Sequence, residues 1–160
     1  MDQKGRKIIL ICSGGGHLVE MLQLEEMFAR YNYLLITERT QFTAFFEESY
    51  NMSFIRPRPA GKKRRLLFLM TLAINLFLSV KLLVKHYPKA IISTGSHTAV
   101  PMCFLGCLLG IKIIFIHSYA RVNSRAKASD IIYPIADKFI VQWPNVKTHY
   151  EKAIFLGGLY

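Results

Sequence analysis

The chain has 160 residues, 52% of them hydrophobic, with 21 Lys and Arg against 10 Asp and Glu and a formal net charge of +11. That length holds one domain with a proper core and excludes an enzyme whose site lies between two domains of the same chain. The composition is too apolar for a disordered chain, and a mean hydropathy of +0.26 implies that some apolar surface meets a membrane or a partner.

The first apolar run predicts a strand over 7–12 that leads into Ser13, Gly14, Gly15, Gly16 and His17 and then a helix over 17–30. Consecutive glycines let the backbone approach a ligand and take positive φ, and free N–H groups at a helix start make an anion site. Tight strand-to-helix turns also use glycine for geometry alone. The spacing is not G-x-G-x-x-G, and the second strand, 33–37, is followed by Glu38 one position late and then by Arg39, which disfavours a dinucleotide. His17 at the helix start reads either as a candidate general base or as a residue that merely caps the helix.

A short helix over 40–50 and a third strand over 52–56 follow, and here the charge becomes informative. Between positions 49 and 129 there is no Asp or Glu, while 13 Lys or Arg occur; the remaining 79 residues carry 8 basic and 10 acidic side chains, a net of −2. Such a block suggests an anionic partner. Six of the ten residues 56–65 are basic: Arg56, Arg58, Lys62, Lys63, Arg64 and Arg65.

The segment 66–84, LLFLMTLAINLFLSVKLLV, predicts a helix on which Thr71, Asn75 and Ser79 form one narrow polar stripe. It has more apolar surface than one sheet covers, so it is either a core helix buried on several sides or a helix docked on a membrane. Spanning is disfavoured: Asn75 and Lys81 interrupt it, and a crossing helix would put the strands on its two sides on opposite faces of a bilayer. The favoured reading is interfacial docking, with Leu66, Phe68, Leu69, Leu72 and Phe77 in lipid and Lys62, Lys63, Arg64 and Arg65 on anionic head groups at about 1 kcal/mol each. A nucleic-acid partner is disfavoured, because the basic run lacks interleaved aromatics for stacking.

A fourth strand over 89–93 ends in Thr94, Gly95, Ser96, His97 and Thr98, whose N–H and hydroxyl groups would suit a phosphate. The helix over 99–109 has Pro101 in its first turn and closes at Gly110. A fifth strand, 112–117, ends in His117, Ser118, Tyr119, Ala120 and Arg121; a helix over 129–136 and strands over 138–142 and 153–156 complete the chain. Strands alternating with helices imply one Rossmann-like α/β domain over 1–160, a parallel sheet with helices on both faces, with ligands at the carboxyl ends of the strands. No secretory signal is expected, since the first apolar run, 8–12, is only five residues long. Cys12, Cys103 and Cys107 read as reduced core residues, and no metal is expected because nothing nearby completes four ligands.

Four strings, SGGGHLVEML, STGSHTAVP, HSYARV and IADKFIVQWP, occur in order along the chain. Together they resemble the membrane-associated subunit of the split N-acetylglucosaminyltransferases of the dolichol pathway, and more closely its bacterial counterparts in capsule and exopolysaccharide clusters. The resemblance implies the N-terminal half of a GT-B glycosyltransferase, similar to the acceptor domain of the peptidoglycan lipid-intermediate transferase. The donor-binding subunit would be a separate chain, and no cofactor is implied. It assigns Gly14, Gly15, Gly16, Thr94, Gly95, Ser96, His97, Ser118 and Arg121 to a polyprenyl-diphosphate-linked sugar acceptor, with His17 the candidate base. Trp143 and Pro144 match the family's QWP string and would shape the partner interface. The position before Ser118 is usually glutamate in the family and is His117 here, which puts any acid or base role of that glutamate in doubt. Eukaryotic members carry an N-terminal anchor, whose place the helix 66–84 would take at the cytoplasmic face of the plasma membrane. The competing reading is a non-catalytic membrane scaffold that recruits and activates its partner.

Overall fold

The computed structural model describes residues 7–57, 59 and 65–160. Seven strands form one parallel sheet in the order β3-β2-β1-β4-β5-β6-β7: β1 (Ile8–Ile11), β2 (Tyr33–Glu38), β3 (Met52–Ile55), β4 (Ala90–Ser93), β5 (Lys112–Ile116), β6 (Lys138–Val141) and β7 (Ile154–Phe155). Among the described residues six α-helices lie between the strands, α1 (Gly16–Leu22), α2 (Glu25–Arg30), α3 (Gln41–Ala44), α4 (Arg65–His86), α5 (Val100–Leu108) and α6 (Lys127–Ile132), and a 3-10 helix, Pro144–His149, joins β6 to β7. The central strands read IILI and AIIS and are buried throughout, as parallel strands covered on both faces must be. Alternate residues feed two cores. Ile9, Ile91, Ile113 and Phe115 meet α4, α5 and α6 through Leu83, Met102 and Ile132. Leu10, Leu35 and Ile92 meet the other layer through Leu18, Met21 and Phe28. The Rossmann-like architecture with helices on both faces is therefore the observed one. Because Ile11 pairs with Ser93, β1 and β4 end level with each other, at the point where the strand order reverses and ligands of such sheets bind.

Several expected helices are shorter. The helix expected over 17–30 breaks at Gln23 and Leu24, whose N–H groups bond three residues back, to Glu20 and Met21. The break lets α1 and α2 each turn apolar side chains, Leu18 and Met21 and then Met27 and Phe28, onto the same sheet face. The helix expected over 40–50 is a single turn capped by reciprocal Thr40 and Thr43 bonds, after which three-residue turns carry the chain to Tyr50. Its Phe and Thr content favours neither helix nor extension of one. The helix expected over 129–136 starts at Lys127 and tightens into a 3-10 turn, Tyr133–Ile135, at Pro134. Cys12 and Cys103 are buried, which pushes their thiols up to about 12. Cys107 is exposed, which corrects the expectation of three core cysteines; four positions carry it about 40° further round α5 than Cys103, beyond the sheet-facing arc.

Helix α4 spans Arg65–His86, slightly longer than expected, and it packs polar side inward. Asn75 and Ser79 are buried beside Leu83, whereas Leu66, Leu69, Leu72, Phe77 and Val84 are exposed, Phe77 by 70%. The Asn75 amide donates to the Arg56 carbonyl and accepts the Arg56 N–H, both at 2.9 Å, so it pairs with backbone just past the end of edge strand β3. Ser79 Oγ donates to the Asn75 carbonyl at 2.7 Å. The alternative of a core helix buried on several sides is thereby overturned: only 17% of its most apolar window is buried, at a mean hydropathy of 2.2, long and apolar enough by composition to cross a membrane. Phe68 corrects the expected lipid-facing set, because it turns half-buried toward Thr98 and Pro101. α5, which packs on α4, exposes Phe104 and Leu108.

Candidate functional site

The site grows from the loops after β1, β4 and β5. His17 lies in the first turn of α1, and its Nδ1 is 2.9 Å from the Thr94 carbonyl. A carbonyl only accepts, so Nδ1 carries the proton and the lone pair of the neutral ring is on Nε2. Thr94 Oγ1 in turn donates to the His17 carbonyl at 2.7 Å. Thr94 itself is fully buried, so it holds His17 in place and does not face a ligand as the sequence suggested. Gly95 sits at φ +117, and a Cβ there would fall 2.9 Å from His17 Cε1. Only glycine meets both demands. Ser96 also takes positive φ, and its hydroxyl pairs with that of Thr98.

One turn beyond His17, Glu20 is 4% exposed. Its Oε1 accepts the Ser118 hydroxyl at 2.8 Å and the Tyr119 N–H at 2.9 Å. The first turns of α1 thus tie the loop after β1 to those after β4 and β5. His117 is buried, with Nε2 donating to the Ser124 carbonyl at 3.1 Å. Burial, then the charge of Arg121, holds its pKa down at about 4, so it is a neutral wall of the site with one nitrogen committed. The loop 118–121 is braced from behind: Trp143 Nε1 donates to the Tyr119 carbonyl at 2.7 Å, and the Tyr119 ring packs tilted against that of Trp143 and edge-on against that of Tyr160.

These loops enclose a cavity of about 620 Å³. It brings together His17, Gly95, Ser96, His97, Ser118 and Arg121, all singled out from sequence, and adds Arg125 and Lys127, which were not. Arg125 is held by Asp130 at 3.0 Å, and Asp130 also accepts the Tyr150 hydroxyl at 2.8 Å. Burial works to raise the Asp130 pKa, but the bonds from Tyr150 and Arg125 outweigh it and keep the carboxylate below its ordinary value. Gly14, Gly15 and Gly16 do not line the cavity; Gly14 lies against Thr43 and Thr40. α1 has only seven residues, and the positive charge of the site comes from Arg121, Arg125 and Lys127 instead of a helix start. Trp143 and Pro144 are outside it, and Trp143 is engaged internally. Lys62, Lys63 and Arg64 lie outside the described residues, and Arg65 opens α4. Among the described residues no group of three or more His, Cys, Asp or Glu is placed to hold a metal. Glu20 went unflagged in the sequence although it stands three positions after His17; Arg125 and Lys127 carried only the signal of the acid-free block.

A Rossmann-like sheet with its cavity at the carboxyl ends of the strands is the architecture of one half of a GT-B glycosyltransferase. MurG of Acinetobacter baumannii superposes with a TM-score of 0.69 at 13% identity, over 88% of this chain and 42% of MurG. A UDP-N-acetylglucosamine 2-epimerase from Rickettsia bellii gives 0.73 at 12% identity, over 96% and 45%. The chain therefore spans less than half the length of these solved structures, and the likeness is one of fold. Within that class, the chain belongs to the family described as "Oligosaccharide biosynthesis protein Alg14 like", which matches residues 8–159. The UDP-N-acetylglucosamine transferase subunit ALG14 of Rattus norvegicus is 26% identical over 177 aligned residues, 95% of this chain and 82% of that protein. Its counterpart in Schizosaccharomyces pombe is 40% identical over 75 residues, 44% of this chain and 36% of that one.

Proposed function

We propose that this chain is the acceptor-binding, membrane-associated subunit of a two-component glycosyltransferase, which moves a sugar from a UDP-sugar to a polyprenyl-diphosphate-linked saccharide. The observation that carries this reading is the His17 ring, fixed over Gly95 by the contact of Nδ1 with the Thr94 carbonyl, in the wall of a cavity that also presents Arg121, Arg125 and Lys127. The acceptor diphosphate lies against these cations and the Ser96 loop. Its sugar hydroxyl attacks the anomeric carbon of the donor, the bond from that carbon to the diphosphate breaks, UDP leaves, and the hydroxyl proton passes to His17 Nε2. On this reading a partner subunit brings the donor half, which is supported by the names of its relatives as subunits of a UDP-N-acetylglucosamine transferase; the same names support that sugar as donor. The exposed apolar face of α4 and the basic run Lys62, Lys63, Arg64 and Arg65 that leads into it hold the subunit on the cytoplasmic face of the plasma membrane. The biosynthetic setting we infer, capsule or exopolysaccharide assembly, rests on the likeness of the four sequence strings alone.

The complex co-purified with its donor-binding partner, assayed with UDP-N-acetylglucosamine and a polyprenyl-diphosphate sugar, tests the base. His17→Ala lowers kcat by about 100-fold or more while the partner still co-purifies. A scaffold role is the second reading, favoured by the bonds that knit His17, Thr94, Glu20 and Ser118 into one another. Unchanged transfer by His17→Ala would select it.

A further inference from the structure

Glu20 is a buried carboxylate that is only half satisfied. Oε1 takes two bonds, from Ser118 Oγ and Tyr119 N–H, while Oε2, shielded from solvent, has no hydrogen-bond partner. A buried charged oxygen left without a donor is costly, and folded proteins retain few of them. The nearest basic group explains it. His17 Nδ1 is 4.0 Å from Oε2, and among the described residues it is the only basic group within ion-pair distance of Glu20. In the resting state the Nδ1 proton is given to the Thr94 carbonyl at 2.9 Å.

We propose that Glu20 is a positioning residue for sugar transfer, whose carboxylate receives His17 at the moment the ring becomes an imidazolium. The inference rests on the reading of His17 as the base. When Nε2 accepts the proton of the acceptor hydroxyl, the ring acquires a positive charge, and Nδ1–H lies between the Thr94 carbonyl and the Glu20 carboxylate. A shift of about 1 Å brings Oε2 to the 2.7–2.9 Å of a charge-assisted bond. The interaction is stronger after proton transfer than before it, which is what accelerates a chemical step without tightening substrate binding. Cys12 and Tyr160 lie near Glu20 and His117 near His17, and none of the three is a cation. His97, Arg121, Arg125 and Lys127 line the same cavity as His17, but among the described residues the ion pair of Glu20 is with His17. The two bonds on Oε1 have a separate use, since they hold the carboxylate still and fix the loop that carries Ser118 and Arg121.

Glu20→Gln separates the two. Its amide oxygen still accepts from Ser118 and Tyr119, so the brace survives, while the carboxylate oxygen opposite His17 is replaced by an uncharged NH2 that cannot accept from Nδ1–H. In the co-purified complex we expect kcat to fall about 10- to 100-fold, as on loss of an outer orienting group, with KM for both substrates within about twofold and the partner still bound. The double variant His17→Ala, Glu20→Gln should be no slower than His17→Ala alone, because Glu20 acts only through the ring. Glu20→Asp, which restores the charge on a shorter arm, should recover part of the loss, and it carries the test if the glutamine variant does not fold. A Glu20→Gln kcat within about twofold of the parent, beside an inactive His17→Ala, would overturn the role of Glu20 and leave the base in place. An active His17→Ala would remove the base itself. Losses that multiply in the double variant would show that Glu20 acts elsewhere.

Discussion

His117 ties the stability of the site to pH in a way that can be worked out in advance. An unfolded chain binds a proton on this histidine below about 6.5, whereas the folded chain resists until about 4, because burial and then the Arg121 charge disfavour the imidazolium. Between these values the unfolded state holds more protons than the native one, so stability falls as the pH is lowered. The contribution is fully present above about pH 6.5 and is lost progressively as the pH falls to about 4. At 1.36 kcal/mol per unit, the drop from 6.5 to about 4 is on the order of 3 kcal/mol. Other groups titrate in the same range, so the difference from His117→Gln is what matters. Glutamine can place an N–H where Nε2 now donates to the Ser124 carbonyl at 3.1 Å, and it does not titrate. Urea unfolding of both proteins in mild detergent at pH 8, 6, 5 and 4 should give curves that are parallel above pH 7 and converge, or cross, by about 3 kcal/mol at pH 4. Two proteins that lose stability in step with each other down to pH 4 would refute a buried neutral His117.

Gly95→Ala combines a positive φ with a contact at 2.9 Å from the His17 ring, and should cost about 1–3 kcal/mol of stability while displacing the ring and lowering transfer at least tenfold; normal transfer would separate the ring's position from catalysis. Leu69 and Phe77 are exposed on α4, so replacing both with glutamine should leave the circular dichroism spectrum and urea midpoint unchanged. The same pair would remove about 3–6 kcal/mol of apolar burial in lipid, seen as loss of flotation with anionic vesicles, and an undiminished bound fraction would count against the membrane reading of α4.

The strands were legible because parallel strands buried on both faces are uninterrupted apolar runs, such as IILI and AIIS, and their ends delivered His17, Gly95 and Arg121 to the right rim. The helix breaks at Gln23 and after Ala44 were not, since no glycine or proline marks them and the sheet face alone dictates the turn. The polar stripe of α4 is legible in the sequence, but its direction is not: only the backbone of Arg56, which Asn75 pairs with, tells that the stripe points inward. Glu20 illustrates the limit most clearly. A carboxylate three residues after a helix start looks like an ordinary surface charge, and the donors that make it something else come from Ser118 and Tyr119, 98 and 99 positions away.

The exposed face of α4 also has an address. Phe68, Thr71 and Leu72 border a small hollow with His97, Thr98 and Pro101, so the lipid-ready surface begins at the loop that carries Gly95. On the proposed reading, substrate would arrive by lateral diffusion in the bilayer plane. The search for it becomes two-dimensional, and a head group need rise only about the width of one helix, about 10 Å, to enter the cavity. Reaction rates would then follow the density of acceptor in the membrane, while its amount in the surrounding volume would matter little.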